Sequence, residues 1–342
     1  MSDSHESQRP GRSCPLHYRY ALADFARAPD FTAPTLYVIG GLYGNVPALE
    51  AIFELAASEP TPVTFAFNGD FNWFNVDGVT FQTINTAVLR HHAIRGNVET
   101  ELADDDDSAG CGCAYPDYVD DAAVARSNDI MARLRSTARQ HTDLRARLGA
   151  LPMHRVAEVG GLRVAIVHGD LQSLAGWSLA EEFLEQHAVK NSVIKQLLMS
   201  KCSVVASSHT CLPVALSLRT AAGNRMVFNN GAAGMPNFRG MHFGVITRIA
   251  VSPAPAAARP LYGARTGDIH IDAMPVHYDH ARWQREFLAN WPVGSAAHQS
   301  YFQRITHGPD YAVTQANRLS GRSAGYRPGV SIGVAARLTA VA

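Results

Sequence analysis

One event recurs along this chain. An apolar run rich in β-formers stops, and the next residues are glycine with aspartate, asparagine or histidine. Residues 35–39 run into Gly40-Gly41, and 61–67 into Asn68-Gly69-Asp70. Residues 92–95 meet Gly96-Asn97, 162–167 meet His168-Gly169-Asp170, and 203–206 lead to Ser208-His209. Residues 226–228 end at Asn229-Asn230-Gly231, and 243–250 form a further strand pattern. Helical spacing lies between these runs: Leu49, Ile52, Phe53 and Ala56 share a face over 47–57, with Pro47 suited to a first turn. Stretches 80–91, 122–148 and 179–198 also read as helix. Strand, polar loop, helix and strand in succession predict an α/β fold with a largely parallel first sheet.

In open α/β sheets, sites form at the carboxyl ends of strands. Four such ends deliver Asp70, Asn97, His168 and His209. Each residue by itself reads as a turn residue or a satisfied polar group. Together they make an N/O site for a divalent metal, better suited to Mn, Fe or Zn than to Ca.

The 342 residues allow one large domain with extensions, or two smaller ones. Residues 1–30 read as an N-terminal extension, 31–251 as the main domain and 252–342 as a C-terminal extension. That last segment has a Pro/Ala linker at 252–260, a strand at 269–275, an amphipathic helix at 281–291 and an irregular tail from 310. Hydrophobic residues make up 46% and charged ones 18%, with a formal net charge of zero. This balance fits a globular protein and gives no bulk reason for a nucleic-acid or membrane partner. A homo-oligomer stays open. The start of the sequence lacks the apolar core of a signal peptide, and no stretch approaches a membrane span. Five irregularly spaced cysteines predict reduced thiols in a cytoplasm. The acidic run 104–107 and Cys111-Gly-Cys113 read as a solvated loop, whose CxC could bind metal or form a disulfide.

The segments Val38-Ile-Gly-Gly-Leu-Tyr-Gly-Asn45-Val-Pro-Ala-Leu-Glu-Ala-Ile52, Asn68-Gly-Asp70, Arg95-Gly-Asn97-Val-Glu99, Val167-His168-Gly-Asp170, Ser208-His209-Thr-Cys211 and Asn230-Gly-Ala-Ala-Gly234 resemble calcineurin-like metallophosphoesterases, the small bacterial phosphodiesterase-like branch above all. The resemblance covers roughly residues 35–250. It implies an α/β/β/α sandwich of two mixed sheets flanked by helices. It implies that Asp70 bridges two metals, and that Asn97, His168 and His209 complete the ligands of one of them. These four would also be the catalytic residues.

The other metal position departs from the family pattern. The first family motif has Asp, one residue, then His; here those places hold Gly41 and Tyr43. The last motif ends on a metal-binding His where this chain has Cys211. Many relatives have a proton-donating His at the place of Val98. One ion per chain is therefore expected. Tyr43 reads as filling the vacated volume and donating to a phosphate, as a phenolate ligand of a ferric ion, or as packing. Cys211 reads as a soft metal ligand, a reactive thiol or a small buried hydrophobe. Asn45 is placed near the substrate or behind the ligands. The resemblance thus implies a divergent phosphoesterase acting on a small phosphorylated molecule, a phosphomonoester or phosphodiester. The losses support instead a catalytically impaired protein that binds a phosphorylated ligand or a protein partner, or different chemistry in the same pocket.

Overall fold

A computed structural model describes residues 9–319. Thirteen strands occur in them: β1 (Phe31–Thr32), β2 (Thr35–Ile39), β3 (Val63–Asn68), β4 (His92–Ile94), β5 (His154–Val159), β6 (Leu162–Val167), β7 (Val204–Ser207), β8 (Pro213–Leu218), β9 (Arg225–Asn230), β10 (Gly244–Ala250), β11 (Tyr262–Thr266), β12 (Ile269–Val276) and β13 (Asn317–Arg318). The α-helices are α1 (Val46–Ala57), α2 (Gly78–Val88), α3 (Asn97–Ala103), α4 (Asp121–Ala138), α5 (Thr142–Gly149), α6 (His187–Met199), α7 (His280–Asn290), α8 (Ala296–His307) and α9 (Val313–Ala316). The strands form two mixed sheets, in the orders β11-β12-β10-β2-β3-β4 and β1-β5-β6-β7-β9-β8-β13.

Strand β2 shows why the apolar runs are continuous. Its five residues are all buried. Leu36 and Val38 face the second sheet, packing with Val164, Ile166, Val204 and Ala206. Tyr37 and Ile39 face the helices, packing with Leu49 and Ile52 of α1. A strand covered on both faces has no polar side, so its sequence does not alternate. The second sheet is covered on its far face by α6, where Val193 and Leu197 meet Val205 and Val214. The four layers are helix, sheet, sheet, helix, as the resemblance implied.

The parallel order β2-β3-β4 at the start of the first sheet matches the sequence pattern. The rest of that sheet is antiparallel: β10 pairs with both β2 and β12. Strands β11 and β12 therefore extend the sheet, and Trp283, Phe287 and Trp291 at α7 join the same core as α1 and α2. The segment expected as a C-terminal extension is, as far as residue 319, part of the sandwich. At the other end, Tyr18 and Phe25 are buried in two short 3₁₀ turns rather than in a helix. Residues 1–8 and 320–342 lie outside the described residues, and with them most of the expected irregular tail.

Three expectations of local structure change. The helix expected over 122–148 breaks into α4 and α5. The one expected from 179 starts at His187, after a 3₁₀ turn at Phe183–Glu185. The loop after α3 is exposed at Asp104–Asp107 but buried at Cys111 and Cys113. These two cysteines form a disulfide, contrary to the expected reduced thiols. Among the described residues no helix is long and apolar enough to cross a membrane.

Candidate metal centre

The site lies where β3, β4, β6 and β7 end. Asp70 sits two residues past β3 with a left-handed φ of 52°. The turn before it needs glycine: at Gly69, with φ 96°, an added Cβ would stand 2.7 Å from both Gly96 Cα and His168 Nδ1. Three ligand loops meet at that point, and there is no room for a side chain between them.

Three of the polar side chains at the centre have one end anchored away from it. His168 Nδ1 donates to the Asn68 carbonyl at 2.9 Å, so the ring turns Nε2 inward. Asn97, the first residue of α3, donates Nδ2 to the Cys111 carbonyl at 2.9 Å, which turns Oδ1 inward. His209 Nε2 donates to the Cys113 carbonyl at 3.0 Å, leaving Nδ1 inward. Around His168 Nε2 stand Asn97 Oδ1 at 3.0 Å, His209 Nδ1 at 3.1 Å and Asp70 Oδ1 at 3.2 Å. Four candidate ligand atoms thus converge, and the outward N–H donors of Asn97, His168 and His209 are held by carbonyls. That donor set fits a divalent cation of the borderline type, and the outward hydrogen bonds are what orient metal-binding imidazoles.

All four residues are buried. Burial raises the Asp70 carboxyl, but His168 outweighs it and holds the group below the usual carboxylate range. Burial lowers His168 in turn, but Asp70 outweighs that and raises the imidazole, so with no ion between them a proton on Nε2 takes the place of the cation. Burial and the neighbouring His168 push His209 down to about 3, so it stays neutral. Glu99 supports the set from below. Its carboxylate accepts from the backbone N–H of Asp70 at 2.8 Å, Gly96 at 3.0 Å and Asn72 at 3.2 Å. Burial and the Asp70 charge push Glu99 up to about 7.

Beside this cluster the arrangement inverts. Gly41 has φ 64°, and a Cβ there would lie 2.9 Å from Cζ of Tyr43. The tyrosine ring therefore occupies the space that a side chain at position 41 would enter. Tyr43 is buried, and its Oη lies 3.1 Å from Sγ of Cys211. Burial pushes the Tyr43 phenol well above its ordinary value and raises the Cys211 thiol, so both stay neutral. Arg304 of α8 donates to the Cys211 carbonyl at 2.7 Å. Among the described residues, the His, Cys, Asp and Glu side chains close enough to share one ion are Asp70, His168 and His209; Cys211 is not in that group. A cavity of about 40 Å³ opens between the two halves, lined by Asp70, Asn97, His209, Tyr43, Cys211 and Tyr301 among others.

Asn45 does not take the place expected near the substrate. It caps α1, accepting from Ala48 N at 2.9 Å and donating to the Gly234 carbonyl at 2.8 Å. Both ends of its amide are used, as the preference for Asn at helix starts predicts. Sequence reasoning missed the carbonyls of Cys111 and Cys113, the supporting role of Glu99, and Trp177, whose Nε1 also donates to the Cys113 carbonyl. Glu99 had a signal: it stands three residues after Gly96, in the place of a capping-box acid.

No protein-family model matches the sequence, and no curated protein does. Two solved structures cover nearly the whole described sandwich. A metallophosphoesterase from Sphaerobacter thermophilus superposes with a TM-score of 0.50 at 15% identity, over 80% of this chain and 100% of its own. The fold is that of a metallophosphoesterase. A hypothetical protein from Pyrococcus horikoshii OT3 gives the same TM-score at 18% identity, over 81% of this chain and 99% of its own. At such identities the likeness to the metallophosphoesterase is one of fold.

Proposed function

We propose that this chain is a divergent metal-dependent phosphoesterase, hydrolysing a small phosphomonoester or phosphodiester through one ion held by Asp70, Asn97, His168 and His209. The observation that carries this reading is the convergence of Asp70 Oδ1, Asn97 Oδ1, His168 Nε2 and His209 Nδ1, the last three on side chains whose opposite ends are anchored outward. Lone pairs crowded at about 3 Å repel one another unless a cation or proton lies among them. A divalent ion there supplies Lewis acidity toward a phosphoryl oxygen and toward water.

The chain's own groups do the rest. Asp70, ionised at neutral pH, brings the charge that holds the cation. A divalent ion would bring two charges against the one of Asp70, which favours an anionic ester. Val98, buried at the family's proton-donor position, offers no proton to a leaving group. Tyr43 and Cys211 fill the place of a second ion with neutral groups. Turnover is therefore expected to be slower than at a dinuclear site by several kcal/mol of transition-state stabilisation.

That same filled position favours a second reading, in which the chain binds a phosphorylated ligand or a protein partner without turning it over. The deciding experiment is elemental analysis of the full chain purified without chelator, beside Asp70→Ala, with a generic aryl phosphodiester and phosphomonoester as substrates. About one Mn, Fe or Zn per chain, lost in the variant together with hydrolysis, supports the enzyme. One ion without hydrolysis moves the assignment to the binder. A chain free of metal overturns the reading.

A further inference from the structure

The CxC loop touches the site more closely than its exposed, acidic start suggests. Cys111 is fully buried and Cys113 is 7% exposed, on the wall of the site cavity. The two are joined to each other. Left-handed φ at Gly110 (63°), Gly112 (65°) and Ala114 (49°) wind the backbone around that link. The winding leaves no slack: a Cβ on Gly112 would lie 2.2 Å from the hydroxyl of Tyr18, which itself donates to Glu101 at 2.5 Å. Its result is to aim two carbonyls at the metal ligands. That of Cys111 fixes the Asn97 amide, and that of Cys113 fixes His209 and Trp177.

We infer that the Cys111–Cys113 disulfide is a redox latch on the metal centre. Closed, it holds the carbonyls that orient Asn97 and set the tautomer of His209. Opened, it frees the loop and loosens the ion. The inference rests on the metal-binding reading above, and it makes both cysteines positioning residues.

The step that opens the latch uses a dithiol reductant. Its thiolate attacks Sγ of Cys113, the sulfur on the cavity side, because Cys111 is sealed. The bond between the two cysteines breaks as the mixed disulfide forms, and Cys111 leaves as a thiolate that takes a proton. The second thiol of the reductant then attacks its own sulfur in the mixed disulfide and releases Cys113, which is protonated in turn. Two electrons and two protons pass to the protein, and the reductant becomes a cyclic disulfide.

The test compares the full chain in air with the same chain after reduction and anaerobic desalting. Free thiols are counted under denaturing conditions, and cobalt(II) is titrated by calorimetry and by its visible absorption. The oxidised chain should show Cys14, Cys202 and Cys211 as free thiols, and the reduced chain all five cysteines. Reduction should weaken cobalt binding roughly ten- to hundredfold, as loss of outer-shell partners does elsewhere, and should change the cobalt spectrum. Reoxidation should restore both. The double variant Cys111→Ser, Cys113→Ser should bind cobalt like the reduced chain and ignore oxidants. Five free thiols in the chain kept in air, or equal cobalt affinity and spectrum in the two redox states, overturns the latch alone. Absence of cobalt binding in both states overturns the metal reading and the latch with it.

Discussion

The two halves of the site share Asp70 and are organised in opposite ways. Around His168 the inward atoms are candidate ligands, and the outward N–H donors of Asn97, His168 and His209 are held by carbonyls. Around Tyr43 the polar groups satisfy each other: the phenol meets the Cys211 thiol, and the ring closes over Gly41. On the proposed reading, one half is completed by an ion from outside. The other is already complete. The difference also couples positions 41 and 43. The ring fits because residue 41 lacks a side chain, and a carboxylate there would meet the ring. Positions 41, 43 and 211 are thus packed against one another with neutral atoms.

The comparison breaks most visibly if the second half can be reopened. Gly41→Asp, Tyr43→His and Cys211→His together should raise the metal content from one ion to two per chain. Aryl phosphodiester hydrolysis should rise on the order of a hundredfold. Unchanged metal and rate would mean that the ring and thiol do not stand where a second ion belongs. A smaller effect sharpens the coupling. Gly41→Asp by itself should destabilise the chain by about 2–4 kcal/mol, through the left-handed backbone and the contact with Tyr43. Adding Tyr43→Ala should recover part of that, measured by urea unfolding. The smallest effect isolates the internal bond. Tyr43→Phe should cost about 1 kcal/mol and leave metal content as it was. A variant that lost the ion would show that the filled half supports the other.

Much of the sandwich was legible because buried parallel strands are unmistakable as sequence. Residues 35–39 and 162–167 are runs rich in β-formers, broken in the second only by Arg163, and both are strands with those bounds. Strand β5 was hidden by its composition, His154-Arg-Val-Ala-Glu-Val159, in which three polar residues interrupt the buried Val156, Ala157 and Val159. Strand β8 was hidden by starting at a proline. The four inward residues at the site were legible because each follows a strand, and Asp70, Asn97 and His168 also adjoin glycine. The groups that aim them were not. A backbone carbonyl is the same in every residue, so nothing in Cys111 or Cys113 announces that its oxygen faces Asn97 or His209. That information lies in the path of the loop, in left-handed residues at the alternate positions 110, 112 and 114 that appear only in three dimensions. Asn45 was misplaced for a related reason: its neighbours in sequence border the site, but its side chain serves the start of a helix.

The order of strands in the first sheet sets a schedule for the ribosome. Strand β2 lies between β3 and β10, and β10 ends at Ala250. At about 5–20 residues per second, the earliest core strand waits roughly 10–40 s for its second neighbour. Throughout that interval an all-apolar strand is open along one edge in a crowded cell. A nascent chain of this kind is expected to depend on holding chaperones more than the finished protein does, and synonymous codon changes between β3 and β10 should alter its yield without altering a single residue.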